Sequence, residues 1–352
     1  MAVRFIENKL PDMAVVSSLL AECATQNQWT NFGPVYHRLA DEYACHMQLP
    51  ADTALVPCAN AGIGLELLAR TLAAQAGVGA LRWVGPSLSF KNLGRGYFAS
   101  MTVLDCDAAG LLDLEAVKRL PPDTYDGIVV INPFGMCTDF SRFVAFAQAT
   151  GKKLLIDNAA GLAREIPAWP WQVFSLHQTK PYGVGEGGLA VVPRDGEDLL
   201  RSLMNYAQIP ENPAHWLNNG KISDIACAFQ LARLRGIDGW ESGYRDQRDR
   251  IAALAADVGV CPLYDPGPAP LTTSLPLLLP APLDEAKLTH FDLVPVSRQY
   301  APLVSRPRAD ALFARLINFP VHPDMAHLTD IEISTYLEQI IDCCFPVPGF
   351  SL

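Results

Sequence analysis

The stretch that decides the fold lies between residues 154 and 192. It reads LLIDNAA at Leu154–Ala160, FSLHQTK at Phe174–Lys180 and GEGG at Gly185–Gly188. Two apolar strand patterns end in polar side chains, and a lysine follows the second of them. Ligands of open α/β sheets bind at the carboxyl ends of the strands. The stretch therefore predicts a binding site at neighbouring strand ends.

Segments on both sides of this stretch predict the rest of the sheet. The predicted strands are Leu81–Gly85, Thr102–Leu104, Gly127–Ile131, Lys153–Ile156, Gln172–Leu176 and Leu189–Val192. Helical patterns follow the N-cap candidate Asn60 as far as Gly77, and cover Phe140–Thr150, Ile222–Leu234, Arg245–Val258 and Ile331–Cys343. Strands that alternate with helices predict an α/β fold with a mostly parallel central sheet.

The length of the chain predicts two domains. A chain of 352 residues is too long for one typical hydrophobic core. We expect a large domain with an N-terminal arm at residues 1–240. A smaller C-terminal α/β domain is expected at residues 241–352, with a proline-rich segment and a final helix.

The composition excludes several classes of partner. The net charge of −10 argues against a nucleic-acid or anionic-membrane surface. The sequence contains no run of about 18 apolar residues, so we expect no membrane span. We also expect no secretory signal at the N-terminus. The nine cysteines show no C-x-x-C pair, so we expect no disulfide framework, no metal site and a reducing cytoplasm.

The polar residues of the deciding stretch are those that pyridoxal phosphate requires. A lysine amine forms the Schiff base with its aldehyde, and Lys180 is the candidate. A carboxylate keeps the ring nitrogen protonated, and Asp157 ends the preceding strand. Ser175 and His177 add a hydroxyl and an imidazole. Each residue alone also fits an ordinary surface or turn role. The ordered set is what indicates the cofactor.

These motifs resemble those of the DegT/StrS family of sugar aminotransferases, which are fold-type-I pyridoxal-phosphate enzymes. Five other segments are similar to the family's motifs: Trp29–Pro34, Asn60–Leu65, Pro86–Phe90, Asn219–Asp224 and Asn318–Pro323. The resemblance therefore covers nearly the whole chain.

The resemblance implies a role for each candidate residue. Lys180, Asp157 and His177 would form the catalytic group. The set that would bind the cofactor is Ala61, Gly62, Phe90, Asp157, Ser175, Lys180 and Asn219, with Phe90 on the ring. Asn219 would reach the phosphate of the neighbouring subunit in a homodimer with shared active sites. The alternative role of Asn219 is the N-cap of the helix that follows.

The sequence also departs from the family pattern. Gly62 stands where the family usually has a threonine, so one hydroxyl contact to the phosphate is missing. Ala160 stands where a Gln or His normally packs on the ring. Pro181 and Lys221 replace the usual Asn and Arg, and the segment between Asp157 and Lys180 is shorter.

The function that the resemblance implies is transfer of an amino group from glutamate to a keto-sugar, with a nucleotide handle on the acceptor. Lys91, Lys221 and Arg298 are the candidates to bind that anionic handle. His322 either lines the same cleft or packs in a loop.

Two other functions stay open. Other pyridoxal-phosphate chemistry is one, although the family's sugar dehydratases carry His where this chain has Lys180. The second is a regulatory protein that holds the cofactor with little turnover, which the changes at Gly62 and Ala160 leave possible.

Overall fold

Two β-sheets organise the chain in this computed structural model, which describes residues 3–206, 211–265, 270–287 and 293–345. The strands are β1 (Thr53–Cys58), β2 (Trp83–Pro86), β3 (Thr102–Leu104), β4 (Gly127–Ile131), β5 (Lys153–Asp157), β6 (Gln172–Ser175), β7 (Gly188–Pro193), β8 (Cys261–Pro262), β9 (Ser274–Leu278) and β10 (Leu316–Pro320). The helices are α1 (Met13–Gln26), α2 (Pro34–His46), α3 (Ala61–Gln75), α4 (Leu114–Lys118), α5 (Ser141–Thr150), α6 (Glu197–Leu203), α7 (Asp224–Arg235), α8 (Glu241–Asp257), α9 (Pro307–Arg315) and α10 (Asp330–Asp342).

The large sheet has the strand order β1-β7-β6-β5-β4-β2-β3. Strand β7 runs antiparallel to both of its neighbours, and the other neighbouring pairs are parallel. Asp157 of β5 is in register with Ile131 of β4 and Val173 of β6. The ends of β4 and β5 therefore lie side by side, with β6 continuing two residues further, and the predicted fold class is confirmed.

Helices cover both faces of this sheet, which explains why its central strands are continuous apolar runs. Leu155 packs in a cluster with α3 and α6, whereas Leu154 and Ile156 pack with α4 and α5. Helices α1, α2 and α7 pack against the outer strands through a third cluster that includes Phe174.

The small sheet is antiparallel, with β9 between β10 and β8. Its apolar cluster joins Leu277 and Phe319 to Ile251 of α8 and Leu337 of α10. The boundary near residue 240 stays a prediction. Within the described ranges, none of the helices is long and apolar enough to cross a membrane.

Local capping fixes two helix starts. The Asn60 Oδ1 atom accepts a hydrogen bond from the Ile63 N–H at 3.0 Å, so the predicted N-cap of α3 is confirmed. Helix α7 begins at Asp224, because the Ser223 Oγ atom caps it through the Ala226 N–H at 3.2 Å. The alternative of Asn219 as the N-cap of this helix is therefore wrong.

Candidate active site

Asp157 is a buried carboxylate at the end of β5. It is 5% exposed, and its Oδ1 atom accepts a hydrogen bond from the Ala159 N–H at 3.2 Å. Burial raises the pKa of Asp157 to about 6, although the charge of Lys180 opposes that rise. An isolated buried carboxylate is costly, so this position favours a cationic partner.

Lys180 lies in a tight turn directly after β6. Its N–H donates to the His177 carbonyl at 2.8 Å, and its own carbonyl accepts from the Gly183 N–H at 3.0 Å. Burial lowers the pKa of the Lys180 amine, while the Asp157 carboxylate offsets part of that effect. A lysine with a lowered pKa is a better nucleophile and proton acceptor at neutral pH.

A cavity of about 390 Å³ opens above Lys180. Phe90, Phe134, Ala160 and Tyr300 line it together with the lysine. Phe90 is 61% exposed, so its ring is available to a bound molecule. The structure therefore brings the predicted residues Phe90, Ala160 and Lys180 to one cavity.

Ser175 lies close to the N-terminus of α3, where the sequence places the phosphate. It pairs with Gly188 across β6 and β7. A Cβ atom on Gly188 would lie 2.4 Å from the main-chain carbon of Asn60 and 2.6 Å from the nitrogen of Ala61. Only glycine allows this close approach. The first-turn N–H groups of Ala61 and Gly62 have no intrahelical partner and are suited to an anion.

Asn219 lies on an exposed loop beside the same helix start. Its N–H donates to the Asn218 Oδ1 atom at 2.7 Å, and the next carbonyl, of Gly220, accepts from the Ala59 N–H at 2.8 Å. Lys221 follows, with its Nζ atom 5.2 Å from the ring centre of Tyr206.

His177 does not line the cavity above Lys180. Its Nδ1 atom lies 2.9 Å from the Thr179 hydroxyl and accepts from the Thr179 N–H at 3.2 Å. Its Nε2 atom lies 3.4 Å from Glu186. The structure thus places His177 as a residue that shapes the turn, because its ring is engaged there. The sequence motif could not tell on which side of the turn the imidazole lies.

The N-terminal segment donates hydrogen bonds to the turn that contains Lys180. The Lys9 Nζ atom donates to the carbonyls of Gln178 at 2.9 Å, Gly183 at 2.6 Å and Lys180. Burial lowers the pKa of Lys9 to about 7, and the charge of Arg233 adds to this effect.

Arg233 holds the same turn from the side of α7. Its Nε atom donates to the Pro181 carbonyl at 2.9 Å, and its Nη2 atom lies 2.6 Å from Glu7. Both charged side chains are 8% exposed. Lys9 and Arg233 therefore donate to main-chain carbonyls on both sides of Lys180.

Phe134 and Tyr300 are site residues that the sequence did not reveal. Their ring centres lie 4.8 Å apart in an edge-on arrangement, and both residues have a φ of 61°. Left-handed backbone is uncommon for aromatic residues and clusters at functional sites. Burial raises the pKa of the Tyr300 hydroxyl, and the nearby Asp157 raises it further. One signal in the sequence could have pointed to Tyr300, which lies two residues after the candidate ligand Arg298.

The candidates for an anionic handle differ in availability. The Arg298 Nε atom donates to the Leu316 carbonyl at 3.2 Å, its other nitrogens bond to Glu285 and to the Phe313 carbonyl, and the group stacks on the Phe313 ring. Lys91 is exposed and lines the cavity. Arg298 also lines the cavity while its guanidinium bonds within the chain, so its role as a ligand of the anionic handle stays a prediction.

His322 packs in a loop. It is buried, and its Nε2 atom lies 2.9 Å from the Arg4 carbonyl oxygen. It does not line the cavity above Lys180. Of the two roles open for it, the structure supports the packed loop residue.

Most of the chain matches the model of one protein family. Residues 15–266 match the model of the DegT/DnrJ/EryC1/StrS aminotransferase family. The chain belongs to this family. The resemblance seen in the motifs is therefore confirmed at the level of the family.

Individual relatives are more distant. Protein Rv3402c of Mycobacterium tuberculosis is 27% identical over 276 residues, which cover 73% of this chain and 66% of that protein. The chain thus spans just under two thirds of the length of this relative.

Two solved structures share the fold. DesI, solved in the presence of its TDP-sugar product, has a TM-score of 0.75 at 22% identity, with 95% of this chain and 91% of DesI covered. The ntda protein of Bacillus subtilis, with the bound cofactor PMP, has a TM-score of 0.76 at 13% identity, with coverage of 96% and 83%.

The residues of this chain fit the family's cofactor. Asp157 is a buried carboxylate that lacks a cationic hydrogen-bond partner among those the structure describes, and the amine of Lys180 interacts with it electrostatically. Gly188 leaves room for β7 to meet the start of α3, where main-chain N–H groups are unpaired. These groups match the ring nitrogen, the aldehyde and the phosphate of pyridoxal phosphate.

Proposed function

We propose that the chain is a sugar aminotransferase, which transfers the amino group of glutamate to a keto-sugar that carries a nucleotide. The observation that supports this most strongly is the buried Asp157 carboxylate at the end of β5, next to the strand β6 that leads to Lys180, whose side chain lines one cavity. The fold shared with DesI, whose structure contains a TDP-sugar product, supports the choice of acceptor.

The two catalytic residues have separate tasks in this proposal. The cofactor, when bound, supplies an electron sink for the amino-bearing carbon. Asp157 keeps positive charge on the ring nitrogen, since its burial leaves the carboxylate in need of a cation. Lys180 holds the cofactor and then moves a proton at the donor's α-carbon, because its lowered pKa leaves it able to accept one.

Other residues bind and orient. Ser175 and the N–H groups of Ala61 and Gly62 hold the phosphate, and Phe90 packs on the ring. Ala160 fills less space than the usual Gln or His at its position, so the cavity accommodates the acceptor there. Lys91, an exposed cation at the cavity, is the residue that we assign to the nucleotide diphosphate.

The proposal extends to the assembly. We propose a homodimer in which Asn219 reaches the cofactor phosphate of the neighbouring subunit. Each chain would have a large domain at residues 1–240 and a small one at residues 241–352. We also propose a cytoplasmic location. Small molecules are the only substrates in this proposal.

A two-stage assay tests the function. The cofactor-loaded protein is mixed with glutamate, and 2-oxoglutarate release is measured together with the cofactor's absorbance. The aminated protein then receives TDP-linked keto-sugars, unlinked keto-sugars and simple 2-oxo acids. We expect amine transfer to the nucleotide-linked sugars, with water released from the ketone oxygen.

Matched lysine variants complete the assay. Lys180→Ala should abolish both stages, whereas Lys153→Ala, at the exposed start of β5, should leave them unchanged. Transfer to 2-oxo acids alone would contradict the sugar assignment. An absence of 2-oxoglutarate with a bound cofactor would favour a cofactor-holding regulatory protein.

A further inference from the structure

The phosphate loop has a gap at Gly62. The family usually supplies a threonine hydroxyl at this position, and a glycine has no side chain to replace it. A Cβ atom built on Gly62 would lie 3.2 Å from the Asn60 Oδ1 atom, which is occupied as the N-cap of α3. The next nearest group is the amide of Asn92, whose Nδ2 atom would lie 3.7 Å from that Cβ atom.

Asn92 reaches this gap from a different segment. It lies in the 3₁₀ turn Lys91–Gly94, two residues after the exposed ring of Phe90. Its amide nitrogen faces the space that a threonine side chain would fill. The same turn therefore brings a ring-facing residue and an amide donor to one side of the site.

No structural hydrogen bond explains the position of this amide. The Asn92 Oδ1 atom is buried and has no hydrogen-bond partner within the part of the chain that the structure describes. Buried polar side chains are normally paired, and an exception points to a ligand or a functional role. A phosphate is itself an acceptor and would not satisfy this carbonyl, but the unpaired atom shows that no hydrogen bond to the carbonyl fixes the amide within the described residues.

We propose that Asn92 donates from its side-chain amide to the cofactor phosphate and so replaces the hydroxyl that Gly62 lacks. This inference rests on the proposed function, because it requires pyridoxal phosphate in the cavity. An amide N–H is a neutral donor with the same reach as a hydroxyl, about 3 Å to a phosphate oxygen.

The experiment compares two ligands that differ only in the phosphate. Dissociation constants are measured for pyridoxal phosphate and for pyridoxal, by absorbance titration of the cofactor-stripped protein. Asn92→Ala should weaken pyridoxal phosphate about 10-fold and leave pyridoxal unchanged, since one hydrogen bond to a charged group is lost. Asn212→Ala removes an exposed asparagine that caps the turn Pro213–His215, and it should change neither constant.

A second variant tests the replacement directly. Gly62→Thr in the Asn92→Ala background should restore most of the affinity for pyridoxal phosphate, provided that the Asn60 side chain shifts by a few tenths of an ångström. Equal loss for both ligands, or no loss for either, would overturn the role of Asn92. Wild-type protein that binds no pyridoxal phosphate would overturn the proposed function itself.

Discussion

The ammonium group of Lys9 donates a hydrogen bond to the main-chain carbonyl of Lys180, 171 positions away in the chain. Two more carbonyls of the same turn, those of Gln178 and Gly183, accept from the same nitrogen. The N-terminal segment therefore stabilises the turn that presents Lys180 to the cavity.

Replacement of Lys9 should loosen this turn. In Lys9→Met, three carbonyls lose their donor, and we expect the free energy of unfolding to fall by about 2 kcal/mol. The rate at which the cofactor bonds to Lys180 should fall as well, because the turn is less ordered. Lys152→Met is the matched control, since Lys152 also donates to two carbonyls, those of Pro122 and Tyr125, far from the site. It should lower stability without changing the bonding rate.

The pH dependence of stability gives a second test of Lys9. Burial lowers its pKa from 10.5 to about 7, so the unfolded chain keeps a proton that the folded protein releases. Stability should rise with pH between about 7 and 10.5, and be lost as pH falls toward 7. Denaturant unfolding across this range should show a steeper rise with pH in wild type than in Lys9→Met, in which the buried Lys180 still contributes. Parallel curves would contradict the buried state of Lys9.

Asp157 should show a trade between stability and activity. Burial raises its pKa from 3.8 to about 6, so its burial costs stability as pH rises from about 4 to 6. Cofactor-free Asp157→Asn should be more stable than wild type by about 3 kcal/mol at pH 8. The difference should shrink toward pH 4, where both side chains are neutral. The half-reaction with glutamate should slow by about 100-fold or more, because the ring charge loses its partner.

Lys91 and Arg298 should behave differently, although the sequence offered both as ligands. Lys91→Ala should raise KM for a nucleotide-linked sugar about 10-fold and leave KM for glutamate unchanged, since the exposed cation contacts only the handle. Arg298→Ala should lower stability instead, because its guanidinium stacks on Phe313 and bonds within the chain. Steady-state kinetics and thermal unfolding of both variants test this contrast.

The proposed homodimer with shared active sites predicts complementation between two variants of low activity. Lys180→Ala and Asn219→Ala protomers, each with low activity, are mixed and allowed to exchange subunits. Hybrid dimers contain one site with both residues intact, so we expect up to about a quarter of wild-type activity to return. Proven subunit exchange without any recovery would show that Asn219 acts within its own subunit or not at all.

The central sheet could be predicted because its signals are local. Strand β4 has the bounds predicted for it, Gly127–Ile131, and its five residues are buried. A continuous apolar run between turns indicates a strand covered on both faces. The polar ends at Asp157 and Ser175 then follow from the direction of the parallel strands.

Residues that reach the site from distant segments could not be predicted in this way. Lys9 contacts a turn from the N-terminus, and Tyr300 meets Phe134 from the second half of the chain. Neither contact leaves a periodic pattern, because each depends on how separate elements pack. The directions of the His177 and Arg298 side chains could not be predicted for the same reason, since a motif fixes a position along the chain but not the direction of a side chain.

We propose that Lys180 is the residue to which the cofactor is bonded. The direct measurement is reduction of the cofactor-loaded protein with borohydride, followed by proteolysis and mass spectrometry of the labelled peptide. The account predicts one label per chain, on Lys180, and none in Lys180→Ala. A label on Lys91, Lys221 or any other lysine of the wild-type protein would contradict it.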